Sequence, residues 1–128
     1  PQNIIYRSLW ERKFMNYCDL NENILEWASE EFWIPYLDPT TNRVRRYFPD
    51  FFIKYKDKDS NIRRSVIEVK PMRETLEPKM TKGKSRKTII NESMTYVKNQ
   101  AKWKAAKEFC ADRKLEFKIM TEKELGIR

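Results

Sequence analysis

Arg46-Tyr47-Phe48-Pro49-Asp50-Phe51-Phe52-Ile53-Lys54-Tyr55, a polar turn at Lys56-Asp57-Lys58-Asp59-Ser60-Asn61, and then Ile62-Arg63-Arg64-Ser65-Val66-Ile67-Glu68-Val69-Lys70 form the most strand-like passage of the chain. β-Branched and aromatic residues dominate both arms and the turn is built from Asp, Ser and Asn, so the passage predicts a hairpin with arms at 44–55 and 62–69. Side chains alternate along a strand. Phe51, Ile53, Ile67 and Val69 then share the core-facing side, whereas Asp50, Phe52 and Lys54 on one arm and Val66, Glu68 and Lys70 on the other take the opposite side. Two acids and a lysine are thereby carried to one end of the hairpin, beside apolar neighbours that bury its opposite face.

Upstream of the hairpin, residues 8–19 predict a helix with Trp10, Phe14 and Tyr17 on one stripe, Glu11 and Cys18 flanking it and Ser8 as its cap. After the turn Asn21-Glu22-Asn23, residues 24–27 and 32–37 read as short β runs, the second confined to an edge or bulge by Pro35. Downstream, residues 71–88 carry two prolines, Gly83 and the cations Arg73, Lys79, Lys82, Lys84, Arg86 and Lys87, and are expected to form a mobile basic loop. Residues 89–112 predict a long helix whose apolar side is Ile90, Met94, Val97, Ala101 and Ala105. Lys98 and Lys102 line one polar edge of it; Gln100, Lys104 and Lys107 line another. Residues 115–120 alternate as a last strand, and Thr121 followed by Glu124 is a capping box for a terminal helix. The pattern is one α/β domain over residues 1–128, a mixed sheet flanked by helices, with no internal repeat.

Composition narrows the chemistry. A chain of 128 residues has room for one domain of ordinary size. Histidine is absent, which removes Ser-His-Asp and Cys-His nucleophiles, His-based nucleases and mixed Cys/His zinc sites. Gly83 and Gly126 are the only glycines, too few for a phosphate-cradling loop or a dinucleotide turn, so no nucleotide cofactor is expected. Cys18 and Cys110 cannot make a disulfide framework; both read as small core residues of a protein in a reducing compartment. No apolar run approaches the roughly 20 residues of a membrane span, so no membrane partner is expected. Of the net charge of +8, +7 falls within residues 73–107, which hold 10 Lys/Arg against 3 Asp/Glu. A block of that kind suits a polyanion, nucleic acid above all, and the alternative is a solvated loop and helix face.

Mg²⁺ takes a few carboxylate oxygens, keeps several waters and completes its shell with substrate phosphate, a role open to Asp50 and Glu68 on adjacent strands. The carbonyl of Val69 offers a third ligand. Lys70 would lie where it activates the attacking water or neutralises charge developing on phosphate.

Pro49-Asp50 with Glu68-Val69-Lys70 resembles the signature of the PD-(D/E)xK nuclease superfamily. A wider set looks like the tailed-phage head-completion nucleases and their relatives, the TnsA-like endonuclease subunits of transposases. It comprises Tyr6-Arg7-Ser8 with Trp10-Glu11, Ile34-Pro35-Tyr36, Arg46 to Phe51, Ile67 to Pro71, Asn99 with Lys102-Trp103, and Thr121-Glu122. The resemblance implies a restriction-endonuclease-like fold and a Mg²⁺-dependent endodeoxyribonuclease, with Mn²⁺ substituting. It implies an active site of Glu11, Asp50, Glu68 and Lys70, in which Glu11 closes the metal site from the first helix. TnsA-like relatives often carry Gln at the position of Glu68, which bears on how many metal ions are held. It further implies action on DNA in head completion and packaging in the cytoplasm of the infected host cell, association with the virion, and partners among phage head or neck proteins. DNA binding is expected from Lys82, Lys84, Arg86, Lys87, Lys98 and Lys102.

Each site residue has a plainer reading beside this one. Glu11 stands three after Ser8, as the acidic half of a capping box would. Asp50 after a proline suits a turn at a strand entrance, and Glu68 with Lys70 suits a solvated cross-strand pair. Glu30 and Glu31 either extend the acidic cluster or are solvated. The four tryptophans read as core or sheet-packing residues. The competing function is a non-catalytic DNA-end-binding or head-plugging virion protein on the same fold.

Overall fold

The computed structural model describes residues 2–29 and 32–126, with side chains from Leu9 onward. Its elements in chain order are α1 (Gln2–Leu20), β1 (Ile24–Ser29), β2 (Ile34–Asp38), β3 (Arg43–Tyr47), β4 (Phe51–Lys56) and β5 (Ile62–Val69). The short α2 (Met72–Thr75), the long α3 (Arg86–Asp112), β6 (Glu116–Met120) and α4 (Glu122–Leu125) complete the chain.

Helix α1 starts at Gln2, so Ser8 lies within it and is not its cap. Serine opens a helix only where the chain ahead of it is non-helical, and the residues from Gln2 to Arg7 contain neither Pro nor Gly to halt one. Its buried line is Phe14 and Cys18, with Trp10 packed at the edge of the same cluster; Tyr17 is exposed and its hydroxyl accepts from Asn21 Nδ2 at 3.0 Å. Both lines have helical spacing, and the sheet beneath selects between them.

The predicted arm at 44–55 is two strands in two sheets. β3 pairs antiparallel with β2 in a separate ribbon, while β4 joins a four-stranded sheet in the order β1-β4-β5-β6. Phe48-Pro49-Asp50 forms the break: Pro49 has no N–H to donate to a ladder and holds Phe48 away from helical geometry, so the chain leaves one sheet and enters the other. β4 and β5 form the expected hairpin, with Phe51 opposite Ile67 and Lys56 opposite Ile62. β6 runs parallel to β5, as a crossover through α3 allows.

One face of the four-stranded sheet meets α1 and α4, burying Phe14, Cys18, Phe51, Ile53, Ile67, Val69 and Leu125 together. The other face is covered by the β2–β3 ribbon and α3 through Ile34, Tyr36, Tyr47, Trp103 and Ala106. Sandwiching buries both sides of the end of β5, from Ser65 to Val69, so the side carrying Val66 and Glu68 is not open to solvent as the alternation alone predicts.

The ribbon alternates cleanly. Ile34, Tyr36 and Asp38 are buried while Trp33, Pro35 and Leu37 are exposed, so Trp33 departs from the core role expected of it and instead lies under the Arg46 guanidinium, 4.8 Å from its ring centre. Pro35 is tolerated because a two-stranded ribbon has only edge strands. At its tip Asp38 accepts from the backbone and hydroxyl of Thr40 at 2.9 and 2.6 Å and pairs with Arg45 Nε at 3.0 Å. The Thr40 hydroxyl, aided by the charge of Lys98 on α3, holds the Asp38 carboxyl below its usual range.

α3 also turns a different side inward. Its buried residues are Asn99, Trp103, Ala106 and Cys110; of the expected stripe Ile90, Met94 and Val97 are exposed, while Ala101 and Ala105 pack half-buried against the ribbon cluster. Ser85 caps the helix by accepting from Thr88 N, so Arg86 and Lys87 belong to its first turn and not to the preceding loop. That connection begins with α2, tied to α4 by Met72 N donating to Glu122 Oε1 at 2.9 Å, and ends with Lys84 Nζ bonded to Glu92 Oε2 and Lys79 O. The Thr121/Glu124 capping box is present as read. Cys18 and Cys110 are buried, free thiols, pushed by burial up to about 12 and about 11.

Candidate active site

The break between β3 and β4 builds the site. Tyr47 ends β3, Asp50 stands just before β4, and the kink at Pro49 lets each engage one of two consecutive residues of β5. Tyr47 OH donates to Glu68 Oε2, and Val69 N donates to Asp50 Oδ2 at 2.8 Å. Both acids are almost wholly enclosed, Asp50 at 2% exposure and Glu68 at 3%. Withdrawing carboxylates from water is costly unless donors compensate, and each acid here has one, the Tyr47 hydroxyl for Glu68 and the Val69 N–H for Asp50. Asp50 stands in the break before β4 but is enclosed, and Glu68 is buried and not a solvated ion-pair partner.

Lys70 follows at the end of β5, half-buried. Its backbone N–H donates to Met120 O at 3.0 Å, so the strand geometry continues through it and its side chain alternates onto the same side as Glu68. A further cation, Lys102 of α3, lies with its ammonium 5.9 Å from the ring centres of both Tyr36 and Tyr47. Lys98, one turn earlier, is the cation felt by Asp38. The sequence suggests a DNA-facing edge for these two lysines; both are half-buried, and Lys102 lies over the ribbon's tyrosines. Tyr47 belongs to the Arg46–Phe51 motif, but its bond to Glu68 is not legible there, because no local pattern records which tyrosine of a separate ribbon reaches which acid.

Glu11 sits half-buried on α1 beside Trp10, one turn before Met15, which packs on the core cluster. Among the described residues no group of three Cys, Asp or Glu side chains is gathered closely enough to hold a metal ion. Glu30 and Glu31 lie outside the described residues.

The two carboxylates do fit a hard cation that keeps water and takes phosphate oxygens, since Mg²⁺ is usually held through one or two carboxylates. A single hydrogen bond uses one of a carboxylate's about four lone-pair sites, so the bonds from Tyr47 and Val69 orient these acids without exhausting their capacity to ligate. Tyr47→Phe keeps the buried ring and deletes the donor. The expected cost is about 1 to 3 kcal/mol of stability in urea denaturation, and a variant within about 0.5 kcal/mol of wild type would show that the bond carries no weight.

Residues 21–122 match the family described as the TnsA-like endonuclease N-terminal domain. Over 125 residues the chain is 38% identical to the head completion nuclease of Enterobacteria phage T4, an alignment that covers 95% of this chain and 81% of that protein. No solved structure gives a significant match. The matched family region contains Asp50, Glu68 and Lys70, whereas Glu11 precedes it and falls only within the longer alignment.

Proposed function

The chain belongs to the TnsA-like endonuclease family, and from that membership we propose that it is a divalent-metal-dependent endonuclease that hydrolyses DNA phosphodiester bonds in phage head completion. The observation that carries the reading is the enclosed pair Asp50 and Glu68, each aimed by a donor from a different element. Asp50 and Glu68 hold Mg²⁺ or Mn²⁺, with the Val69 carbonyl as a further ligand. A cation bound there would supply Lewis-acid chemistry for the phosphate and for the attacking water. Val69 N–H and Tyr47 OH keep the two carboxylates in place before substrate arrives, which removes reorganisation from the reaction step. Lys70 orients the attacking water or neutralises charge building on the phosphate. The basic block, including Lys82, Lys84, Arg86 and Lys87, raises the local concentration of DNA. The protein acts in the cytoplasm of the infected host cell and on the virion, beside head or neck proteins.

Incubating supercoiled and linear DNA with Mg²⁺, Mn²⁺ or EDTA tests this. Nicked or linear products in either metal and none in EDTA are expected. Binding without cleavage under all three conditions would leave the end-binding or head-plugging protein.

Glu11 enters as the acid contributed by α1. Since α1 begins well before Ser8, a capping role does not compete for it. Glu11→Gln preserves size and helix propensity but removes the charge, so it is expected to lower cleavage by about 10- to 100-fold, the range seen when residues supporting a metal site are changed. Thermal stability should be unchanged. Full activity in that variant would leave Asp50, Glu68 and Lys70 as the whole set.

A further inference from the structure

The two flanks of α3 are unequal. Around its buried line of Asn99, Trp103, Ala106 and Cys110, helical spacing sets Lys98 and Lys102 on one side and Gln100, Lys104 and Lys107 on the other. Lys98 and Lys102 are half-buried on the flank of α3 that packs on β2, and the Lys102 ammonium lies over the rings of Tyr36 and Tyr47. Lys104 and Lys107 are exposed and border a cleft of about 310 Å³, whose remaining walls are Gln100, Trp103, Ile119 of β6 and Thr75 at the end of α2. No acidic residue lines it.

The cleft lies beside the acids. Ile119 is the register partner of Glu68 in the parallel β5–β6 ladder, and paired residues point to the same side of a sheet, so the wall formed by Ile119 begins one strand, about 4.8 Å, from Glu68. Trp103 gives it an apolar floor. Two ammonium groups one helical turn apart and the Gln100 amide give it a rim that can donate to anionic oxygens, the Thr75 hydroxyl being taken up by Met72 O at 2.6 Å.

We infer that this cleft holds the backbone of the DNA strand next to the scissile phosphate, with Lys104 and Lys107 pairing its phosphates, while Lys98 and Lys102 make no phosphate contact. This rests on the nuclease reading of Asp50 and Glu68. The chemistry agrees with the charge map, since both lysines belong to the block at 73–107 that holds almost all of the chain's excess charge. It also separates two jobs that the sequence leaves merged on one helix. One edge braces the ribbon that aims Glu68, and the other meets the substrate.

The test is a salt titration of binding by the intact chain to two fluorescently labelled short duplexes of unrelated sequence, in EDTA so that no strand is cut. Deleting one cation that pairs with a phosphate flattens the slope of log affinity against log salt by about 0.9 on duplex DNA. Lys104→Ala combined with Lys107→Ala should flatten it by about 1 to 2 on both duplexes, whereas Lys98→Ala combined with Lys102→Ala should change it by less than about 0.5. Thermal melting of the Lys104/Lys107 variant should match wild type, because both side chains are exposed. An unchanged slope in that variant, or a flattening confined to the Lys98/Lys102 variant, overturns the inference. Because the titration involves no turnover, it fails separately from the nuclease reading. A flattened slope in a protein that never cleaves DNA with Mg²⁺ would keep the cleft as a DNA site and remove catalysis.

Discussion

Asp50→Asn is expected to lose DNA cleavage by more than about a hundredfold, a larger loss than removing a residue that merely supports a metal ligand. The substitution is chosen for what it keeps. Asparagine retains a carbonyl oxygen where Asp50 Oδ2 accepts from Val69 N, so the buried amide keeps its partner and the fold stays intact. What disappears is the negative charge a hard cation requires. Glu68→Ala should have a similar effect on cleavage, together with some loss of stability, because the buried Tyr47 hydroxyl then loses its acceptor. In both variants binding to DNA without metal should stay within a few fold of wild type. Gel assays with Mg²⁺ measure this directly, and a wild-type rate in either variant would remove that residue from the catalytic set.

Phe14→Ala should destabilise the protein by about 3 to 5 kcal/mol, the range for emptying a large aromatic from a closed core. Phe14 is fully enclosed, its ring centre is 4.6 Å from that of Phe51, and it shares a cluster with Ile53, Ile67, Val69 and Leu125. That cluster joins α1 and α4 to the back of the hairpin that carries Asp50 and Glu68, so the loss falls on the scaffold under the site. The expected fall in Tm is about 10 to 20 °C for a domain of this size, and the urea midpoint should drop with little change in the m-value. Leu20→Ala on the same helix, at a residue 84% exposed, serves as the contrast and should stay within about 0.5 kcal/mol of wild type. A loss below about 1 kcal/mol for Phe14→Ala would mean that α1 is not anchored where the structure has it.

What the sequence determines by itself is what adjacent residues decide among themselves. The β4–β5 hairpin is readable because period-two alternation and the Asp/Ser/Asn turn are local. The Thr121/Glu124 capping box is readable because one turn of helix contains both partners, and the placement of Asp50, Glu68 and Lys70 at one end of that hairpin because strand alternation is local. The tertiary structure alone decides which of two possible sides becomes the inside. α3 has apolar residues at Ile90, Met94 and Val97 and again at Trp103, Ala106 and Cys110, and it turns the second set inward because the β2–β3 ribbon, far away in sequence, packs there. The break at Phe48-Pro49-Asp50, where Pro49 has no N–H for a ladder, divides one apparent strand between two sheets. The same division sets Tyr47 against Glu68, 21 positions apart in the chain, and leaves Lys104 and Lys107 rather than Lys98 and Lys102 at the open cleft. Burial is a property of what arrives from elsewhere in the chain, and periodicity along one helix or strand carries no record of it.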